Sequence, residues 1–472
     1  METQPTPNLS VFERFNQWIT ESIMVKLFSI GFLILILLIP SSWIEDLIRE
    51  RQYRADEVIR EVSDKWSGPQ MLSGPVVRIP FVKKEKVKTW HEGKQVEEIM
   101  ETEHYAYFLP EDYRVKSDIT TEVRKRGIFE VVLYKSNIDM QAQFDVPDFS
   151  TSNIPDTQVY WNEAVLLNGI SDLRGIGENP VVKSGEVLLS SEPLSDIGVS
   201  VNQYAQFANN HANAGTSDSR TISGIITPLL WQSRPEVPMH INVQLSLKGS
   251  ESLYFVPTGK STEVTSTSLW PSPSFEGKLL PEHTVTDSGF TASWKVLSFN
   301  RPFSQKWVDR DQTLSGSEFG VRLLIPADQY QKSTRTAKYG VLIILLAFTT
   351  LFLVEITTKT RIHPFQYILI GAALIIYYTL LLSFSEQVGY NAAYAIASLA
   401  TTALVTLYST SFLKSKSVVL LFGLLMVSFY TFIFIIIQAQ DFSLLIGSIG
   451  LLLIIGLLMY FSRNIKWYGN KV

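Results

Sequence analysis

The chain has 472 residues, no cysteine and a formal net charge of −4. The lack of cysteine excludes disulfides, so a domain outside a membrane must be held by burial and backbone hydrogen bonding. A charged fraction of 18% and a mean hydropathy of +0.12 average a charge-poor apolar part with an ordinary polar one. The sequence therefore indicates a membrane protein with a large polar domain, and no nucleic-acid partner is expected.

The first apolar run, Ile23–Ile44, is long enough to span a bilayer, which takes about 20 apolar residues. Residues 1–22 are expected to form a cytoplasmic amphipathic segment, because Val11–Phe28 places aromatic and aliphatic side chains at helical spacing. This spacing predicts a short helix on the inner membrane surface that continues into the span. A cleaved signal peptide, with Lys26 as its positive flank, is the alternative. It is less favoured because a small-x-small cleavage site is missing.

The segment 45–338 predicts a mainly-β, sandwich-like domain. Its start, Glu45–Asp64, is charged and helical in pattern and is expected to extend the first span. Ser195–Ile222 is low in apolar residues and predicts an exposed loop. Short runs rich in Val, Ile, Thr, Tyr and Phe predict the strands, at Pro75–Val82, Thr102–Leu109, Arg114–Arg124, Gly127–Leu133, Asn137–Phe144, Gln158–Leu166, Glu186–Leu189, Ile241–Lys248, Leu253–Pro257, Thr262–Leu269, Gly289–Trp294 and Gly320–Ile325.

A block at 339–461 predicts a bundle of membrane helices, followed by a cytoplasmic tail at 462–472. Its apolar runs predict spans at Tyr339–Val354, Pro364–Phe384, Ala392–Phe412, Val418–Ile437 and Phe442–Phe461, which makes six with the first. Basic residues follow the second, fourth and sixth spans, whereas the loops after the third and fifth contain none. Because Lys and Arg in short loops stay cytoplasmic, both termini are expected in the cytoplasm and 45–338 on the outer side.

The familiar catalytic and metal-binding patterns are absent from the sequence. Gly259-Lys260-Ser261-Thr262 copies the end of a phosphate-binding loop, but position 254 is Tyr where that motif requires Gly. The six histidines show no H-x-x-x-H spacing. We therefore expect no catalytic residue, cofactor or metal site.

Two carboxylates at the ends of spans are the better functional leads, because charges in lipid are costly and often line pathways. Glu355 ends the second span and Glu386 ends the third. They could belong to a proton or ion route. The favoured interpretation is that each is interfacial, solvated or paired, for example with Lys359 or Arg361.

Several motifs resemble the CreD family of bacterial inner-membrane proteins, which are known for cell envelope integrity and colicin tolerance. They include Ser67-Gly68-Pro69-Gln70, Gly74-Pro75, Asp172-Leu173-Arg174-Gly175-Ile176, Trp270-Pro271, Pro326-Ala327-Asp328-Gln329-Tyr330-Gln331, His363-Pro364 and Ser385-Glu386. The resemblance covers nearly the whole chain. It implies a role in envelope stress and in β-lactam-related responses, with no established reaction or catalytic residue.

Three functions remain open at this point. The first is a non-enzymatic envelope-integrity protein in contact with membrane lipids, whose periplasmic domain engages envelope components or unknown protein partners. The second is a transporter or lipid-handling protein that uses Glu355 and Glu386. The third is an enzyme acting on envelope polymers, with acid and base among Asp172, Asp287 and Asp328.

The Pro326–Gln331 motif has two interpretations of its own. We expect it to be a junction that couples the β domain to the helix bundle. Alternatively, Asp328, Tyr330 and Arg335 form a ligand or peptide site there.

Overall fold

The computed structural model describes residues 23–91, 94–150, 154–202, 219–309, 312–325, 329–358, 360–439 and 442–463. The chain divides into two compact units, residues 57–326 and the combination of 1–56 with 327–472. Residues 1–22, which include most of the predicted amphipathic helix, lie outside the described residues.

Helix α1 runs without interruption over Ile23–Trp66. Its 44 residues correspond to about 66 Å of helix, more than twice what a bilayer core needs. The apolar first half matches the predicted span, and the charged second half confirms the predicted extension. The helix ends at Trp66 because Gly68 and Pro69 follow, and the residue before a proline avoids helical geometry.

The β unit consists mainly of two sheets. Its strands are β1 Gln70–His91, β2 Lys94–Phe108, β3 Asp112–Arg126, β4 Phe129–Phe144, β5 Val165–Ile170, β6 Val181–Ser184, β7 Val187–Leu189, β8 Glu192–Leu194, β9 Ser200–Asn202, β10 Ser219–Thr221, β11 Gly224–Pro228, β12 Met239–Ser250, β13 Ser252–Val256, β14 Ser261–Ser268, β15 Pro273–Gly277, β16 Glu282–Thr286, β17 Gly289–Leu297, β18 Lys306–Val308 and β19 Phe319–Leu323. In the described residues, one sheet has the order β15-β19-β13-β1-β5-β11-β8, and β2 joins β18 to β1. The other has the order β16-β17-β14-β3-β4-β12-β6-β7.

A continuous apolar core holds side chains from both sheets. In β12 the side chains alternate between buried and accessible positions, with Val243 and Leu247 fully buried. Aromatic residues fill the centre, where Trp294 stacks on Phe319 with ring centroids 5.2 Å apart. This packing confirms the predicted sandwich-like domain between the first and second spans.

The chain enters and leaves the β unit at the same end. The Ser250 N–H donates to the Gly68 carbonyl just after α1, at 3.2 Å. The next residue, Glu251, accepts from the N–H of Leu323, the last residue of β19, at 2.7 Å. Strand β12 leads away from this point and extends about 37 Å to Met239. We call the end that contains Ser250 and Glu251 the tether end and the end near Met239 the far end.

A network of hydrogen bonds between residues 64–68 and 172–174, which we call the knot, fixes the end of α1 to the sheets. The Arg174 guanidinium donates to the Asp64 carbonyl at 2.6 Å and to both Asp172 carboxylate oxygens at 2.9 Å. Asp172 also accepts from the Ser67 hydroxyl and the Gly68 N–H. Burial opposes ionisation of Asp172, but these donors outweigh it and hold the pKa of its carboxyl below the usual value. The motif that begins at Ser67 and the motif that begins at Asp172 therefore take part in the same structural contact.

Two predictions in the β unit were wrong. Ser195–Ile222 is not simply an exposed loop, because Ile197, Val199 and Val201 are buried and β9 pairs with β10. The alternation of these apolar residues in the sequence already indicated a strand, and residues 203–218 lie outside the described chain. The strand predicted at Gln158–Leu166 is interrupted by 3-10 turns, and only its last two residues belong to β5.

Other strands were found with shifted bounds. The two runs predicted between Gly127 and Phe144 form the single strand β4, and β1 and β2 extend far beyond their apolar parts as a charged ribbon. Cross-strand contacts such as Lys84 with Glu101, at 2.7 Å, stabilise that ribbon in place of burial.

The second unit contains the remaining helices. They are α2 Gln329–Lys338, α3 Gly340–Thr358, α4 Pro364–Val388, α5 Tyr390–Ser409, α6 Lys416–Gln438 and α7 Ser443–Ser462. Among the described residues, six helices are long and apolar enough to cross a membrane: α1, α2 with α3, and α4 to α7. This agrees with the six predicted spans. The short helix α2 was not predicted, because its residues are mostly polar.

We predict that Gly175→Ala destabilises the β unit. A Cβ at this position would lie 2.3 Å from Gln70 Nε2 and 2.4 Å from the Lys248 carbonyl oxygen, so the knot must open. The expected loss is about 1–3 kcal/mol, seen as a lower midpoint of thermal unfolding. Gly68→Ala is the matched control, because its Cβ would meet nothing within 4 Å. Equal midpoints for the two variants would contradict this account of the knot.

Candidate functional site

A cleft opens between the two sheets at the far end of the β unit. Its volume is about 500 Å³, a usual size for a ligand or side-chain pocket. We call it the end cleft. Its floor and walls contain the apolar side chains of Val77, Phe108, Leu109, Phe144, Trp231 and Met239. The cleft lies where β2, β4 and β17 end and β12 begins, so loops and strand ends form its walls.

Two large apolar side chains at the end cleft face solvent. Phe299 is 95% exposed and Val237 is 70% exposed. Phe299 lies on a 3-10 turn directly after β17, and Val237 lies in the loop before β12. Exposed apolar side chains next to an apolar cleft are typical of an interaction surface.

Charges of both signs surround the apolar floor. Lys260 contacts Glu111 at 2.7 Å, and this partner raises the pKa of the lysine. Asp148 accepts from the N–H and hydroxyl of Ser150, both at 2.9 Å, and these donors lower the pKa of its carboxyl. The rim is therefore mixed in charge around an apolar centre, which is the usual arrangement of a protein interaction site.

A buried arginine fixes one wall of the cleft. Arg301 is 7% exposed and donates to the carbonyls of Phe303 and Thr258 and to the Gln305 side chain. Gln305 lines the cleft and in turn donates to the Pro110 carbonyl at 2.6 Å. Burial lowers the pKa of Arg301 to about 10, so it remains charged at neutral pH. These hydrogen bonds hold the wall in place before a ligand binds, so binding would not have to order these side chains.

Glu355 lies in a buried ion pair within the membrane unit. Its side chain is 5% exposed and contacts Lys26 Nζ of α1 at 2.5 Å. The same carboxylate accepts from the Ile362 N–H at 3.1 Å and from the Tyr367 hydroxyl at 3.2 Å. Glu355 is paired with Lys26, a partner that the sequence analysis did not suggest, and Lys359 lies outside the described residues. The pair attaches the first span to the bundle.

Tyr330 and Glu386 lie together at another point of the membrane unit. The Tyr330 hydroxyl donates to Glu386 Oε1 at 3.1 Å, and Thr336 bonds to the Tyr390 hydroxyl at 2.6 Å. Helix α2 is thereby packed against the turn between α4 and α5. Arg335 lies on the same helix, and its guanidinium has no partner among the described residues, whereas Asp328 is outside them.

The two membrane glutamates are far apart. Tyr367, which contacts Glu355, and Glu386 lie on the same helix about 28 Å from each other. Between them the chains meet closely, since a Cβ on Gly371 would lie 2.3 Å from Leu37 and 3.1 Å from Phe348. Apolar side chains therefore close the space between the two carboxylates at the level of Gly371, which disfavours an ion route past this point.

The proposed acid and base residues do not form a site in the described chain. Asp172 belongs to the knot at the tether end, with its oxygens occupied by donors. Asp287 is exposed in the turn between β16 and β17. Neither lines the end cleft. No group of three or more His, Asp or Glu side chains suited to a metal occurs among the described residues.

Sequence reasoning missed the end cleft altogether. The residues that line it come from six separate segments of the sequence, so no local pattern joins them. A weak signal was available in Ser298-Phe299-Asn300, where an aromatic residue stands in a polar turn.

We predict that the contact between Lys26 and Glu355 is structural. Lys26→Met or Glu355→Gln alone leaves a buried charge without its partner and should destabilise the protein by about 3–5 kcal/mol. The double variant removes both charges and should recover at least half of that loss. Thermal unfolding in detergent measures this, with Lys416→Met as an exposed control. If Glu355→Gln unfolds like the parent protein, the structural role is excluded.

Solved structures of peptidases show a weak likeness to this chain. An M1 zinc metallopeptidase from Deinococcus radiodurans has a TM-score of 0.19 and 8% identity over 43% of this chain and 42% of its own. A mutant of the same peptidase with a bound Tyr-ser-ala substrate has a TM-score of 0.18 and 9% identity, over 40% of this chain and 39% of its own. Values this low carry no argument about fold or chemistry.

The sequence comparisons are much stronger. The family model for inner membrane protein CreD matches residues 22–468. Inner membrane protein CreD of Escherichia coli strain K12 is 33% identical over 453 residues, which cover 94% of this chain and 93% of that protein. The chain therefore belongs to the CreD family of inner membrane proteins.

Proposed function

We propose that this inner-membrane protein supports cell envelope integrity and stress tolerance without catalysing a reaction, and that its β unit engages an envelope component or protein partner through the end cleft. The observation that carries the proposal is the apolar cleft with Phe299 exposed beside it. A phenylalanine that is 95% exposed does not stabilise the free protein, whereas its burial against a partner would stabilise a complex.

The proposed orientation follows the basic residues of the short loops. They favour cytoplasmic termini and a periplasmic position for residues 45–338. The end cleft would then be available to periplasmic proteins and to the polymers of the envelope. The membrane helices act in this proposal as an anchor, which the apolar side chains that pack at the level of Gly371 support.

A non-catalytic role is supported by how the carboxylates are used. Asp172 accepts several hydrogen bonds that hold the tether end together, and Glu355 neutralises Lys26. A general acid or base needs a free position toward a substrate, which such saturated groups lack.

We predict that Phe299→Ser combined with Val237→Ser abolishes the protective function. Both side chains are exposed, so the variant should fold normally while losing about 2 kcal/mol or more of binding, a factor of about thirty. Survival under colicin or β-lactam stress is measured in a strain that lacks the native gene and carries each variant at matched membrane levels. Leu280→Ser, at an 82% exposed residue that does not line the cleft, is the control. Full protection by the double variant would refute the proposed role of the cleft.

A further inference from the structure

Helix α2 has two chemically different faces. Tyr330, Ser333, Thr336 and Ala337 are buried on one of them. Lys332, Arg335 and Lys338 recur every three residues on the other. We call these three residues the basic stripe. Like charges at this spacing repel each other along a helix, so the stripe destabilises α2 unless an anion lies against it.

The position of α2 in its unit is set by its buried face. Tyr330 donates to Glu386 and Thr336 bonds to Tyr390, and these two partners flank the turn between α4 and α5. Helix α4 has 25 residues, about 37 Å, and so exceeds a hydrocarbon core of about 30 Å. Its end at that turn therefore lies at the level of lipid headgroups, and α2 lies there with it.

The charges of the basic stripe are poorly compensated by the protein. Lys332 Nζ lies 5.7 Å above the centre of the Tyr390 ring. Arg335 is half-buried, and its guanidinium has no hydrogen bond or ion pair among the described residues. The nearby acid, Glu386, already accepts from Tyr330. In the sequence 326–338 the three bases stand against a single acid, Asp328, so the segment keeps a net positive charge.

Apolar residues continue the same surface into the membrane. Val341 is 38% exposed and Leu345 is 41% exposed, and they follow Lys338 on α3 at helical spacing. A ligand that contacts both the basic stripe and this apolar surface needs an anionic group, such as a phosphate, next to an acyl chain. Free phosphate would contact only the basic stripe.

We propose that the basic stripe binds the phosphate of an anionic phospholipid headgroup, with an acyl chain along Val341 and Leu345. The guanidinium fork of Arg335 matches two phosphate oxygens, and the flanking lysines add point charges. This inference concerns the membrane unit and is independent of the end cleft.

The test uses the full-length protein in phosphatidylcholine nanodiscs with an increasing fraction of phosphatidylglycerol. A dye on Gln331→Cys reports binding, and it labels a single site because the chain has no cysteine of its own. We expect a saturable spectral change whose midpoint moves to a higher phosphatidylglycerol fraction in K332Q/R335Q/K338Q. The expected weakening is about fivefold for each charge removed.

Matched variants separate a specific site from general attraction. Lys414→Gln combined with Lys416→Gln removes two charges beside the start of α6. These lysines follow the end of α5 that is opposite to Tyr390, so this variant should leave the midpoint unchanged. Arg335→Lys keeps the charge and should shift the midpoint less than Arg335→Gln. An unchanged midpoint in the triple variant would overturn the proposal. Saturation by inorganic phosphate at equal concentration would overturn the assignment to a lipid.

Discussion

The first and last segments of the β unit are both hydrogen-bonded to one pair of neighbouring residues, Ser250 and Glu251, and this constraint determines how the rest of the unit is arranged. Ser250 bonds to the start of the unit through Gly68, and Glu251 bonds to its end through Leu323. Because β12 begins at the far end and finishes at Ser250, Met239 and its partner Phe144 lie about 37 Å from the tether end. The end cleft lies beside these two residues, away from the points where the chain enters and leaves the unit.

Buried polar groups in this protein stabilise its structure, and this limits where function can be sought. Asp172 and Arg174 join the end of α1 to the sheets, and Glu355 joins Lys26 of the same helix to the bundle. Each carboxylate accepts from several donors, which makes its charged form tolerable when buried. Function is therefore sought outside these saturated carboxylates, at the exposed Phe299 beside the end cleft and at the basic face of α2 that carries Arg335.

Hydropathy and alternation were sufficient for the elements that bury an apolar face. The six spans, the continuation of α1 and strands such as β3, β12 and β14 could be predicted for this reason. Elements held by other forces were missed. The outer part of the β1–β2 ribbon is stabilised by cross-strand charges, and α2 is a polar helix that depends on Glu386 and Tyr390. The end cleft was invisible because it is assembled from distant segments.

If the far end of the β unit is a binding surface, site-specific photo-cross-linking in living cells will trap the molecule that binds there. A photoreactive phenylalanine analogue is placed at Phe299, which is 95% exposed, or, as a control, at Leu280, which is 82% exposed. We expect a discrete adduct from position 299, weakened by Val237→Ser, and none from position 280. Equal labelling at both positions, or no adduct at position 299 under envelope stress, would show that the far end is not a binding surface.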